Sequence, residues 1–93
     1  MIALLTIHLR LPGCASLKEK RSRIKPILAR LHREFNVSTA ELDRQDHWQE
    51  AVLGCALLSN DSAHAQSALQ TVLDYVTRTW PDEEILEHHI ELI

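Results

Sequence analysis

A single stretch between residues 35 and 61 places the strongest limit on the fold, because apolar and polar side chains alternate on both sides of one turn. The alternation predicts strands over residues 37–43 and 48–59, joined by a turn at residues 44–47. Strands joined by so short a turn pair antiparallel as a β-hairpin. The rest of the chain consists of two pieces, each a strand with a helix, that are expected to pack onto this hairpin.

The segment before the hairpin combines a strand with a helix. Residues 2–11 alternate with a period of two, which predicts a half-buried strand. Ser16 and Glu19 form a capping-box pattern, which begins a helix that extends to about Phe35. Pro26 lies inside this pattern and removes one backbone donor, so the helix is expected to kink or to restart there. The interpretation kept is one helix.

The segment after the hairpin has the same two kinds of element in the opposite order. Residues 60–61 end the hairpin strand and cap a helix predicted over residues 62–79. A last strand is predicted over residues 84–93. The side chains of this strand that are expected to share one face are Leu86, His88, Ile90 and Leu92.

The order β-α-β-β-α-β predicts one α+β domain over residues 1–93. The expected architecture is a ferredoxin-like, four-stranded antiparallel sheet in the order 4-1-3-2, with two helices on one face. The inward stripe of the first helix is predicted to hold Leu17, Ile24, Leu28, Leu31 and Phe35, with Ile27 at its edge. The predicted core comprises Leu5, Ile7, Leu9, Leu28, Leu31, Leu53, Cys55, Leu57, Leu69, Val72 and Ile90.

The remaining composition favours a cytoplasmic protein that does not enter a membrane. No apolar run reaches the ~18 residues that a transmembrane helix needs. Met1 leads directly into a strand-like pattern rather than a signal peptide. The two cysteines, Cys14 and Cys55, are expected to be free thiols in a reducing compartment, with Cys55 filling space in the core.

Positive charge is concentrated in the first helix. Seven of the ten Lys and Arg residues lie between residues 18 and 33, while twelve of the thirteen acidic residues lie elsewhere. Focused positive charge attracts phosphates even when the net charge is negative, as it is here at −3. The predicted polyanion-binding residues are Lys18, Lys20, Arg21, Arg23 and Lys25. The competing interpretation is a solvated basic face in which Lys20 and Arg21 pair with Glu41, Asp43 or Asp46.

A second cluster is expected where the hairpin turn meets the start of the first helix. Its members are Asp46, Trp48 and Gln49. We expect Asp46 to pair with Lys20 or Arg21 and to stiffen the turn. Trp48 is expected to cover the edge of the core rather than to bind a ligand.

The signatures of several enzymes and carriers with this fold are missing from the sequence. The loop at residues 12–16 lacks the arginine of an acylphosphatase, no CxxC motif exists, and the central strands lack the stacking aromatics of an RNA-recognition domain. His8 and His89, with two glutamates nearby, are a weak metal candidate that is more typical of cross-strand pairing. We therefore predict no catalytic residue, no cofactor and no metal, and a protein that is not an enzyme.

Four motifs, taken together, resemble the YlxP-like family of small bacterial proteins. They are SLKEKR at residues 16–21, FNVS.AE at 35–41, QD.WQ.A.LG at 45–54 and SND at 59–61. The resemblance runs the length of the chain and implies a ferredoxin-like fold. The family is a domain of unknown function whose genes in many bacteria lie among those for translation initiation and ribosome maturation, which implies a role near RNA or the ribosome. Pro26 departs from the family pattern, and no catalytic residue is carried over.

The interpretation of the sequence is a non-enzymatic binding module whose partner is ribosomal RNA or the ribosome. A homo-oligomer is also expected, through a strand edge or the sheet face without helices. That face is apolar at its centre, where it carries Leu4, Thr6, Val52, Gly54 and Ala56. The alternative is a regulatory domain that binds a small ligand or a metal on the open sheet face.

Overall fold

The computed structural model describes residues 1–44 and 46–93, so Gln45 of the predicted hairpin turn lies outside the described residues. The elements in chain order are β1 (Ile2–Arg10), α1 (Leu17–Glu34), β2 (Ser38–Asp43), β3 (Glu50–Leu58), α2 (Ser62–Thr79) and β4 (Glu84–Leu92). The predicted order of strands and helices is therefore confirmed, with each boundary within two residues of its expected position.

The four strands form one antiparallel sheet in the order β2-β3-β1-β4, which is the predicted order read from the other edge. The central strand β1 places Leu5 opposite Cys55 of β3 and Ile90 of β4. Alternate residues of β1 are buried because side chains of both helices cover that face. The opposite face of the sheet carries no helix in the described part of the chain.

The α1 stripe that enters the core is rotated from the predicted one. Ile24, Ile27 and Leu31 are buried, whereas Leu28 is only partly buried. Together with Lys20, the three buried residues have the spacing i, i+4, i+7 and i+11 of one helix face. The prediction missed this phase because the first position of the pattern is a lysine.

The other residues of the predicted core are buried as predicted, with two exceptions. Leu57 and Ile90 pack against the core but are only partly buried. The predicted core residues that are buried are Leu5, Ile7, Leu9, Leu31, Leu53, Cys55, Leu69 and Val72.

The prediction that Leu86 shares the inward face of β4 is wrong. His8 is opposite Glu87, but the next residue of β1 is opposite Ile85, so Leu86 is the extra residue of a β-bulge. A bulge of one residue reverses the alternation on one side of it. Ile85 consequently packs against the core, and the Leu86 side chain is 45% exposed.

The α1 helix is continuous across Pro26, which confirms the interpretation as one helix. Ser16 is its N-cap, and its side chain accepts a hydrogen bond from the backbone N–H of Glu19. In α2 the side chain of Asp61 accepts hydrogen bonds from the backbone N–H groups of Ala63 and His64. Both predicted caps are thus present, and they set the residues at which the helices begin.

Cys55 is fully buried in β3, and burial raises the pKa of its thiol from the ordinary value of 9.0 to about 11. We expect a thiol reagent to leave Cys55 unmodified in the folded protein and to modify it after denaturation. In the unfolded chain the thiol ionises first, so the protein loses stability as the pH rises from 9.0 towards 11. Denaturant titrations across this range measure the loss, and Cys55→Ala should remove that part of the pH dependence. Rapid modification of folded Cys55 would contradict this prediction.

Candidate functional site

The N-terminus of α1 is closed by its own capping box. The Glu19 carboxylate accepts a hydrogen bond of 2.7 Å from the backbone N–H of Ala15, and Ser16 Oγ accepts one of 3.1 Å from the N–H of Glu19. These bonds use backbone donors that an anion at a helix N-terminus would need. An anion that binds α1 must therefore be held by side chains.

Lys20 is not part of an exposed basic surface, which corrects its place among the candidate polyanion residues. Its side chain is 2% exposed, and its Nζ lies 2.9 Å from Glu41 Oε2. Nζ also donates a hydrogen bond to the carbonyl of Arg44. The buried amine thus links α1 to β2 and to the start of the hairpin turn, as the competing interpretation of structural pairing predicted for Lys20.

The expected pairing of Asp46 with Lys20 or Arg21 is wrong: none of the ion pairs among residues 1–44 and 46–93 includes Asp46, and the Lys20 amine contacts Glu41 and the Arg44 carbonyl instead. Arg44 has a φ of 64°, a left-handed conformation that is uncommon for a residue with a side chain. The hydrogen bond from Lys20 to its carbonyl helps to hold this conformation. Lys20, rather than Asp46, therefore stiffens the beginning of the turn.

Arg23 is also held within the protein. Its guanidinium forms an ion pair with Glu83 and donates a hydrogen bond of 3.0 Å to the carbonyl of Pro12. The hydrogen bond that the Arg23 guanidinium donates to the Glu83 carboxylate raises the pKa of Arg23 above its ordinary value. Arg23 thereby ties α1 to the loop before it and to the segment that leads into β4. Sequence patterns did not single out Glu83, because its partner lies 60 residues away.

The remaining three predicted polyanion residues, Lys18, Arg21 and Lys25, are exposed. Their spacing of three and four residues places them in one row along α1. None of the ion pairs within residues 1–44 and 46–93 involves them. At one end of the row, Lys25 lines an open groove of about 510 Å³ between α1 and β2, together with His32. We call Lys18, Arg21 and Lys25 the basic row.

Arg30 of α1 lies away from this row. The guanidinium of Arg30 is 5.9 Å from the centre of the Tyr75 ring, which makes a cation–π contact with α2. On a helical wheel Arg30 lies more than a quarter turn from the basic row. Only part of the basic helix is therefore available to a single ligand.

The predicted cluster at the hairpin turn is only partly assembled. The Gln49 carbonyl accepts a hydrogen bond of 2.7 Å from the backbone N–H of Leu11, and its side chain lies 3.4 Å from the Cys14 carbonyl. Asp46 is exposed, and the Trp48 side chain is 53% exposed. The expectation that Trp48 covers the core edge is therefore wrong. An exposed tryptophan is a feature of binding surfaces rather than of a packed core.

The sheet face without helices has a cavity of about 340 Å³ lined by residues that include Thr6, His8 and Val52. At this face His8 Nε2 lies 2.6 Å from Glu50 Oε1, and the hydrogen bond from His8 lowers the pKa of Glu50. His8 is thus paired with a residue of β3, rather than with the glutamates of β4. Among residues 1–44 and 46–93, no group of three or more His, Cys, Asp or Glu side chains is placed to hold a metal ion.

The comparison with protein families identifies the chain. The family described as "Protein of unknown function (DUF503)" matches residues 2–90. The chain belongs to this family. The "Uncharacterized protein YlxP" of Bacillus subtilis (strain 168) is 43% identical over 61 residues, which cover 66% of each chain and thus slightly less than two thirds of the relative. The resemblance to the YlxP-like family is confirmed.

Similarity to solved structures extends over the whole chain but concerns the fold alone. The "De novo designed protein Foldit4" has a TM-score of 0.61 and 18% identity, covering 100% of this chain and 99% of the designed one. A "putative Antibiotic biosynthesis monooxygenase" from Chloroflexus aurantiacus J-10-fl has a TM-score of 0.55 and 20% identity, with 100% and 93% covered. A shared fold at this identity says nothing about a shared reaction.

Neither α1 nor α2 is sufficiently long and apolar to cross a membrane, and these are the helices that the described part of this DUF503 protein contains.

Proposed function

We propose that this DUF503 protein is a non-enzymatic, cytoplasmic binding module that contacts ribosomal RNA, alone or within the ribosome, through the basic row. The supporting observation is the exposed alignment of Lys18, Arg21 and Lys25 on α1, beside an open groove. Lys20 and Arg23 are held by contacts within the fold, so of the five predicted residues these three are the side chains left to bind a ligand. The translation-related role that the family resemblance implies agrees with this proposal.

The acidic remainder of the chain limits which nucleic acids the protein can bind. The protein carries a net charge of −3, so its surface away from α1 repels bulk nucleic acid. A row of three cations engages about three phosphates, which gives a slope of log K against log salt of roughly −2 to −3. Such binding is weak and tolerant of sequence. A structured RNA that presents several phosphates to the row is favoured over duplex DNA.

An acidic protein is the competing partner for the same surface. Both partners make binding sensitive to salt, so salt dependence alone does not separate them. Two features favour RNA. Lys25 of the row lines an open groove beside β2, and Trp48, which lies between β2 and β3, is exposed and can stack on a base. Binding to purified ribosomal RNA without ribosomal proteins distinguishes the two partners.

The test compares wild-type protein with Lys18→Glu/Lys25→Glu in binding to purified ribosomal RNA and to ribosomal subunits at low salt. We expect the charge reversal to weaken binding at least about tenfold, because two phosphate contacts become repulsive. The matched control is Arg30→Glu/Arg78→Glu, which changes the net charge equally but lies away from the basic row, and it should bind within about threefold of wild type. Absence of wild-type binding to RNA and to subunits would overturn the proposal. Equal weakening by the two double variants would show that the basic row is not the binding surface.

A further inference from the structure

The outer edge of β4 presents a run of backbone donors and acceptors. This strand pairs with β1 on one side and is an edge of the sheet on the other. Ile2 and Ile93 exchange two hydrogen bonds of 3.3 and 2.7 Å, which sets the phase of the ladder between the strands. In an antiparallel ladder the bonding direction alternates along the strand. His88, Ile90 and Leu92 therefore direct their N–H and C=O groups away from β1.

The two edges of the sheet are not equivalent. At the other edge β2 has six residues, and a register shift lies between Glu41 and Asp43. Short strands and bulges are the usual ways to prevent pairing at an edge. By contrast, β4 has nine residues, and its pairing with β1 is regular from Glu87 to Leu92. The regular part of β4 is thus the better template for another strand.

We propose that two copies of this protein pair antiparallel along β4, with the two-fold axis between the two Ile90 residues. In this register, the outward backbone groups of His88 meet those of Leu92 in the second copy, and Ile90 meets Ile90. Three pairs of residues then exchange hydrogen bonds without using the bulged residue Leu86. The product is one continuous sheet of eight strands. This inference is independent of the RNA proposal.

The charged side chains of β4 favour the register with the axis at Ile90 over the register with the axis at His89. The side chains of Glu87, His89 and Glu91 lie on the sheet face without helices, as their pairing with β1 shows. With the axis at Ile90, each His89 lies opposite Glu91 of the second copy, at the positions where the strands approach most closely. With the axis at His89, each Glu87 would instead lie opposite Glu91, and like charges directly opposite one another are destabilising.

The apolar exposure of β4 agrees with a second copy as the occupant. The Leu92 side chain is 41% exposed, although it lies on the face of β4 that packs against the helices. In the paired sheet it is opposite His88 of the second copy and beside Ile90, so part of this apolar surface is removed from water. A second copy of β4 supplies both a histidine opposite Glu91 and a glutamate opposite His89 from one strand.

The first test concerns the backbone. His88 directs its N–H outward, so His88→Pro removes a donor of the new ladder without removing a bond to β1. We expect it to raise the dissociation constant of the dimer more than about tenfold in sedimentation equilibrium, whereas the control His88→Ala keeps the donor and should change it less than about threefold. Monomeric wild-type protein up to millimolar concentration would overturn the proposal, as would a dimer that His88→Pro leaves unchanged. Thermal melting checks that each variant is folded.

The second test concerns the register and does not depend on tolerance of proline. His89→Glu places a glutamate opposite Glu91 of the other copy, at two symmetric positions, and should raise the dissociation constant about tenfold. The exchange His89→Glu/Glu91→His restores the opposed pairs and should return it to within about threefold of wild type. If the exchange binds as weakly as His89→Glu, the axis is not at Ile90 and the register is wrong. Amide exchange supplies a direct readout, since His88, Ile90 and Leu92 should become protected with rising concentration.

Discussion

Leu53→Ala is expected to lower the free energy of unfolding by about 2 to 5 kcal/mol, the largest loss among the changes considered. Leu53 is fully buried in β3, where it is opposite Ile7 of β1 and Glu41 of β2. Alanine removes apolar contacts and leaves a cavity, because close-packed neighbours relax only partly. A denaturant titration followed by circular dichroism measures the change.

Leu58→Ala is the matched control for this prediction. Leu58 belongs to the same strand, but its side chain is 81% exposed, so we expect a change below about 0.5 kcal/mol. The ratio of the two effects tests which face of β3 enters the core. A loss below about 1 kcal/mol for Leu53→Ala would mean that the inward phase of β3 is misassigned.

Lys20→Met should destabilise the protein by about 2 to 4 kcal/mol. Methionine has a similar shape, but it leaves the Glu41 carboxylate and the Arg44 carbonyl without their cationic partner. The expected loss of stability is smaller than the largest losses seen when a fully buried ion pair is broken. The reason is that the Glu41 side chain is 22% exposed and keeps some access to water. Urea titration of the variant measures the difference.

A double substitution separates the lost attraction between Lys20 and Glu41 from the cost of leaving the Glu41 carboxylate without a partner. Lys20→Met/Glu41→Leu removes both charges, and we expect it to recover at least half of the loss, since an apolar pair of similar volume can replace a buried ion pair. Asp46→Asn is the control for the hairpin turn, and an exposed carboxylate should contribute little. If Asp46→Asn destabilised the protein as much as Lys20→Met, the assignment of Lys20 as the residue that stiffens the turn would be wrong.

The residues that the sequence predicted well are those whose partners are close in the chain. Ser16 and Glu19 close a capping box within one turn of helix, so spacing alone identified the start of α1. The period of two along β1 predicted which side chains face inward, because the pleat forces that alternation on any strand. Local geometry thus accounts for the elements, their order and most of the core.

The candidate site was predicted less well, because it depends on which charges meet across the fold. Five basic residues formed the predicted polyanion surface, and the structure leaves three of them exposed in one row. Lys20 and Arg23 instead pair with Glu41 and Glu83, which approach α1 from β2 and from the segment before β4. A helical wheel places Lys20 close to the core stripe, but it does not show that the Glu41 carboxylate of β2 lies beside the Lys20 amine.

By itself the sequence determined the order of strands and helices, their caps and the alternation of buried residues in β1 and β3, since these follow from backbone geometry and from neighbours a few residues apart. Only the tertiary structure decided the phase of α1, the bulge at Leu86 and the partners of Lys20 and Arg23. Each of these arises where two distant segments compete for the same space or the same charge. Such competition is settled by packing and by desolvation of the whole domain, which no local pattern records.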